Sequence, residues 1–153
     1  MAFQSDEALF NDFAEFFAKD FGIPPLSARI AAYLQFDFDR DGLSFDELVR
    51  IFGVSKSSVS TALQHLVEIG LLNVIQKDGH RKRYFILNPD YAKIRLDGIV
   101  QRLRRELALC DRLQAYQSDV PAPVAKKYQI YTQLLNSNIE TISESLTRLN
   151  NEK

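Results

Sequence analysis

The sequence predicts a mainly helical chain that carries one small β-hairpin. Three observations predict it. Four stretches before residue 70 space their apolar residues as helices do. One alternating stretch surrounds Asp78-Gly79. Two long stretches after Pro89 carry apolar stripes at helical spacing, the first stepping by four and three.

The bulk numbers bound the class. A chain of 153 residues, 46% hydrophobic and 25% charged, suits one domain, or one domain extended by helical arms. The net charge is −1, so any nucleic-acid binding must come from a local patch. Cys110 is the single cysteine, which excludes an internal disulfide and a multi-cysteine zinc site and fits a reducing cytoplasm. The start, "MAFQSDEALFNDF", lacks the basic and apolar segments of a secretory signal. No stretch approaches the ~18 apolar residues of a membrane span. The expectation is a soluble cytoplasmic protein with no membrane, metal or cofactor.

Residues 5–21 read as an amphipathic helix, with Leu9, Phe10, Phe13, Phe16, Phe17 and Phe21 at helical spacing. Six of the eleven phenylalanines lie in the first 21 residues, enough aromatic surface to call for a partner, either another subunit or the chain's own core. A second helix begins near Pro25, with Leu26, Ile30 and Leu34 on one face.

"DFDRDGLSFDEL", residues 37–48, opens like a calcium loop. Counting from Asp37, however, the place of the bidentate glutamate is taken by Leu48, and Glu47 falls one position early. Ser44 and Glu47 instead have the spacing of a capping box, with the aspartates just ahead of a positive helix end. The loop is expected to start a helix, and no metal is expected in it.

That helix places Phe45, Leu48, Val49 and Phe52 inward and stops at Gly53; Ser55 can cap the next, "KSSVSTALQHLVEI", closed by Gly70. Two short helices joined by a glycine-containing turn make a helix-turn-helix. Stepping about 100° per residue puts Val59, Ala62, Leu63, Leu66 and Val67 on one side of the second helix. Ser57, Thr61 and Gln64 lie opposite, flanked by Ser58, Ser60 and His65. Solvated faces usually carry Glu and Lys, whereas hydroxyl-rich faces form helix poorly and suit close approach to phosphates and base edges.

"LNVIQKDGHRKRYFIL" reads as a hairpin whose tip holds Lys77, His80, Arg81, Lys82 and Arg83 against Asp78. Residues 55–84 hold five Lys/Arg and two Asp/Glu, whereas residues 1–21 hold five acids and one lysine; the neutral total hides this asymmetry. After Pro89 a long helix, about residues 90–117, aligns Leu96, Val100, Leu103, Leu107 and Cys110 in a coiled-coil-like seam. "VPAP" breaks it, and a last helix reaches about Leu149 with Tyr131, Leu135, Ile142 and Leu149 as its stripe.

The order helix-turn-helix then basic hairpin is that of a winged helix-turn-helix. The stretch "SKSSVSTALQHLVEIGL" followed by "GHRKRY" resembles the MarR-type transcriptional regulators, and within them the GbsR-like branch, over residues 24–88. The resemblance implies a winged helix at residues 23–88 between an N-terminal dimerisation helix, 1–22, and C-terminal dimerisation helices, 89–153. It implies that Ser55, Lys56, Ser57, Ser58, Ser60, Thr61, Gln64 and His65 meet the major groove of double-stranded DNA. Lys77, His80, Arg81, Lys82 and Arg83 would work as the wing. A homodimer would form through Phe10, Phe13, Phe17, Val100, Leu103, Leu107, Tyr131, Leu135 and Ile142. It also implies a place for a small-molecule effector, whose identity the sequence does not give.

The expected function is therefore a homodimeric, sequence-specific DNA-binding regulator. The alternative is a winged-helix module that binds protein and not DNA. Catalysis is not expected: the two histidines fall on the presumed DNA face and the hairpin tip, Cys110 lies in an apolar seam, and P-loop and zinc motifs are missing.

Overall fold

A computed structural model describes residues 6–77, 81–116 and 119–151. Its elements are α1 (Glu7–Lys19), α2 (Pro25–Leu34), β1 (Leu43–Ser44), α3 (Phe45–Phe52), α4 (Lys56–Glu68), β2 (Leu72–Gln76), β3 (Arg83–Leu87), α5 (Tyr91–Tyr116) and α6 (Ala122–Asn151). The fold is mainly helical with a small antiparallel sheet, a winged helix. The chain divides into two compact units, Met1–Tyr91 and Ala92–Lys153.

In the first unit α2 is the central element. Ile30 and Leu34 are fully buried, and Ala28, Ala31 and Ala32 are buried beside them; small side chains on several faces let neighbours approach the helix from more than one direction. α1 starts at Asp6, whose side chain accepts the Leu9 N–H at 2.8 Å, and packs on α2. There Phe10 meets Tyr33 edge-on at 6.3 Å and Phe17 is buried. The same core takes in Leu48 of α3, Val59, Leu63 and Leu66 of α4, and Leu43, Leu72 and Leu87 of the strands.

The sheet has the order β1-β3-β2, with Leu43 opposite Phe85 and Leu72 opposite Leu87. The hairpin was legible in the sequence; β1 was not. Two residues are too few to show alternation, and Leu43 and Ser44 become a strand only because β3 pairs with them.

The acidic loop before β1 is built by Asp37. This carboxylate is buried, and its oxygens accept the N–H groups of Asp41 at 3.0 Å and Gly42 at 2.7 Å. Arg40 takes a left-handed φ of 58° and donates to the Leu87 carbonyl at 2.8 Å, tying the loop to the end of β3. The ligand expected at the first position of a calcium loop is thus occupied by backbone. The capping box is present at α3: Glu47 accepts from the Ser44 N–H, and Ser44 Oγ accepts from the Glu47 N–H.

In the second unit α5 and α6 run antiparallel, because Glu106 meets Tyr131 while Leu113 and Gln114 meet Val124, Ala125 and Tyr128 around a cavity of about 290 Å³. The Tyr131 hydroxyl donates to Glu106, which raises its pKa above the ordinary tyrosine value. Along α5, Leu96, Leu103, Leu107 and Cys110 are half-buried and Val100 is buried. On α6, Leu135 is buried, Ile142 and Leu149 are half-buried, and Tyr131 is exposed. No helix among the described residues is long and apolar enough to cross a membrane.

Candidate nucleic-acid interface

The turn between α3 and α4 is set by Gly53 at φ 61°, whose N–H donates to the Val49 carbonyl. Ser55 then caps α4, its Oγ accepting the Ser58 N–H at 3.1 Å. That Oγ also lies within hydrogen-bond distance of the hydroxyls of Ser57 and Ser58, at 3.0 and 2.7 Å, so the start of the helix is a cluster of three hydroxyls. The far end closes on Gly70 at φ 73°: Leu71 N–H donates to Leu66 and Gly70 N–H to Val67, the paired bonds of a Schellman motif.

Between these ends the two sides of α4 separate. Val59, Ala62, Leu63 and Leu66 are buried. Ser55, Lys56, Ser57, Ser58, Ser60, Thr61 and Gln64 are exposed, and His65 is half-buried. Val67, placed on the inner side by the sequence pattern, is 38% exposed; it sits at the rim with Val74 and Phe85.

A groove lies on each side of this exposed ridge. One, of about 500 Å³, runs between α4 and the sheet and is lined by Ser60, Gln64, Glu68, Val74, Lys82 and Arg83. The other, of about 590 Å³, is bounded by Pro24 and Pro25 at the start of α2 and by Ser57, Ser58, Thr61 and His65. The ridge therefore stands clear on both flanks, the relief that a groove of a duplex requires.

The hairpin brings Lys82 and Arg83, both exposed, beside the first groove, and Arg81, next to them in the chain, is exposed too. Lys77 behaves differently. Its ammonium turns back to Asp41 at 3.7 Å and lies 4.5 Å from the centre of the Tyr84 ring. His80, expected at the tip, lies outside the described residues, as do Asp78 and Gly79.

The hydrogen bonds of two residues here, Gln64 and Asn88, were not read from the sequence. Gln64 Nε2 donates to Glu68 Oε1 at 2.9 Å, although the i,i+4 spacing was there to find. Asn88 Nδ2 donates to the Gly70 carbonyl at 2.8 Å, Asn88 N–H donates to Leu71 at 2.9 Å, and Asn88 Oδ1 accepts from Asp90 N–H at 3.0 Å. One residue, through its side chain and its backbone N–H, thereby holds the end of α4, the base of the hairpin and Asp90 together; nothing local in the sequence signals it.

Of the residues expected at a dimer contact, Phe17, Val100 and Leu135 are buried within the single chain. Phe10, Phe13, Leu103, Leu107 and Ile142 are half-buried, and Tyr131 is exposed. The more exposed apolar side chains of the second unit are others: Leu109, Leu113, Ile130 and Leu134, each at least half exposed.

Comparison with known proteins agrees with this architecture. A crystal structure of a transcriptional regulator superposes with a TM-score of 0.62 at 19% identity, covering 95% of this chain and 97% of that one. A transcriptional regulator from Thermotoga maritima (20% identity, 88% of each chain, TM-score 0.42) is also similar but superposes too loosely to argue from. So does a MepR variant from a multidrug-resistant S. aureus clinical isolate (15% identity, 85% of this chain and 88% of that one, TM-score 0.44). No curated protein matches. The model of the MarR family matches residues 21–83. Across both helices of the helix-turn-helix and the hairpin as far as Arg83, the chain is thus similar to the MarR family.

Proposed function

We propose that the protein is a cytoplasmic, sequence-specific DNA-binding transcriptional regulator of the GbsR-like branch, acting as a homodimer and not as an enzyme. The observation that carries this reading is the exposed hydroxyl and amide ridge of α4 beside the cationic Lys82 and Arg83, with the exposed Arg81 next to them in the chain. In a duplex the ridge enters the major groove, where Ser57, Ser60, Thr61 and Gln64 meet phosphates and base edges. Lys56, Arg81, Lys82 and Arg83 neutralise phosphates of the backbone or the adjacent minor groove and supply most of the affinity. The exposed leucines and isoleucine of α5 and α6 are the apolar surface that a second copy covers. Two α4 helices then read half-sites about 34 Å apart.

The test is an anisotropy titration with fragments of the source genome and with random duplex, at two salt concentrations, alongside sedimentation of the free protein. Salt-sensitive, sequence-preferring binding by a dimer is expected. Binding to neither duplex at low salt would reject the reading.

One observation favours a second reading, a winged helix that binds protein only. Phe38 is 84% exposed on the loop that Asp37 and Arg40 hold in place, next in the chain to the exposed Asp39 and three residues before the exposed Asp41. An aromatic presented among carboxylates suits a basic protein socket and repels a phosphate backbone. The same titration decides, since this reading predicts no DNA binding at either salt concentration.

A further inference from the structure

The contact between Gln64 and Glu68 gives the candidate recognition helix a directional feature that its composition does not show. A glutamine amide has two edges, an NH₂ that donates and an oxygen that accepts, and a free side chain on a helix surface can turn either outward. Here it is not free: Gln64 Nε2 lies 2.9 Å from Glu68 Oε1, one turn further along α4. A carboxylate only accepts, so the partner dictates the orientation. The NH₂ faces Glu68, and the oxygen occupies the other branch. Both side chains are exposed and line the groove between α4 and the sheet, opposite Lys82 and Arg83.

With one N–H committed to Glu68, Gln64 retains one N–H and its acceptor oxygen. In the major groove adenine presents an acceptor at N7 and a donor at N6, the complement of that pair. Guanine presents two acceptors, N7 and O6, so the outward oxygen of Gln64 would confront O6. Turning the amide to suit guanine would place its oxygen against the Glu68 carboxylate. The acid thus rejects the wrong purine as well as orienting the right contact.

We infer that Glu68 is a positioning residue for base readout: by holding the Gln64 amide in one orientation it makes this position of α4 select adenine over guanine. This inference rests on the DNA-binding reading given above. Glu68 contributes no base contact of its own.

The test is selection of bound duplexes from a randomised library, followed by affinities for matched sites that differ only as A·T or G·C at the selected position. Wild type is expected to favour adenine by roughly five- to a hundredfold, the discrimination of one bidentate pair. Glu68→Ala should bring the two sites to near parity. Gln64→Ala should do the same, and the double variant should lose nothing further at that position, because the acid acts through the amide. Glu68→Lys reverses the logic: the introduced ammonium donates to the Gln64 oxygen and turns the NH₂ outward, so the preference should move to guanine. A merely structural role would not produce that reversal, and both variants sit on an exposed helix face whose integrity thermal melts will report. An undiminished adenine preference in Glu68→Ala overturns the inference. So does a new change in Glu68→Ala on the Gln64→Ala background, which would mean the acid reads a base directly. Sequence-preferring binding in wild type with no adenine selected overturns it while leaving the DNA-binding reading intact. Absence of any DNA binding overturns both.

Discussion

The ammonium of Lys77 lies 3.7 Å from the carboxylate of Asp41 and above the ring of Tyr84, so the first residue of the hairpin tip is tied to the loop that precedes β1. An exposed ion pair is worth only about 0–1 kcal/mol, yet it engages the Lys77 ammonium within the protein, so that a phosphate must compete with Asp41 for it. Arg81→Ala is expected to weaken binding to every duplex alike and to lower the salt slope by about one. Lys77→Ala should cost less, and Asp41→Asn should strengthen binding to random duplex by freeing the cation. Anisotropy titrations over a range of salt check all three; equal losses from Lys77→Ala and Arg81→Ala would mean that the pair opens on DNA.

Gln64→Ala should act in the opposite manner to Arg81→Ala. Removing the amide relaxes preference at one or two base pairs by about 1–3 kcal/mol while leaving affinity for random duplex unchanged. Competition between selected and random fragments measures the difference. A uniform loss would show Gln64 to be a phosphate contact.

Asn88→Ala should destabilise the first unit. It removes the donor to the Gly70 carbonyl at a part-buried junction, at a cost of about 1–3 kcal/mol for the acceptor left unsatisfied, whereas the exposed bond to the Asp90 N–H adds little. Urea denaturation followed by circular dichroism should show a lower midpoint. An unchanged midpoint would indicate that water replaces the side chain.

Two glycines share a left-handed φ but differ in surroundings, so the same substitution should give different losses. At Gly42, φ 74°, an added Cβ would lie 2.8 Å from Ile86 Cγ2 and 3.0 Å from the Phe85 carbonyl; Gly42→Ala should cost roughly 2 kcal/mol or more. At Gly53, φ 61°, nothing lies within 4 Å, and Gly53→Ala should cost only the conformational penalty of about 1–2 kcal/mol. Thermal melts of the two variants should keep that order.

Calcium should leave the melting temperature where it is, because the buried Asp37 carboxylate already holds the N–H groups of Asp41 and Gly42. Asp37→Ala, by leaving those donors without an acceptor, should destabilise by about 1–3 kcal/mol each. A melting temperature that rises with added calcium would mean that the loop rearranges to take the ion.

The helices were legible because their signals are local. Ser44 with Glu47, Ser55, Gly53 and Gly70 mark helix ends through bonds that span only a few residues, and the structure forms them where the sequence places them. The separation of α4 into a buried and an exposed side followed likewise from period alone, except at the rim, where Val67 faces a groove whose opposite wall the sequence could not locate. The hairpin was legible from Asp78-Gly79 between alternating runs.

What the amino-acid order determined by itself, then, is the set of helices, their caps and the side of α4 that is polar. Tertiary structure decided β1, the capture of Lys77 by Asp41, the anchoring of Arg40 on Leu87 and the junction at Asn88. Each of these joins residues 15 or more positions apart, or depends on such a pairing. Such contacts exist only after burial of Ile30, Leu34 and Leu66 has fixed where the segments meet, and a sequence pattern that repeats every two or 3.6 residues carries no record of them.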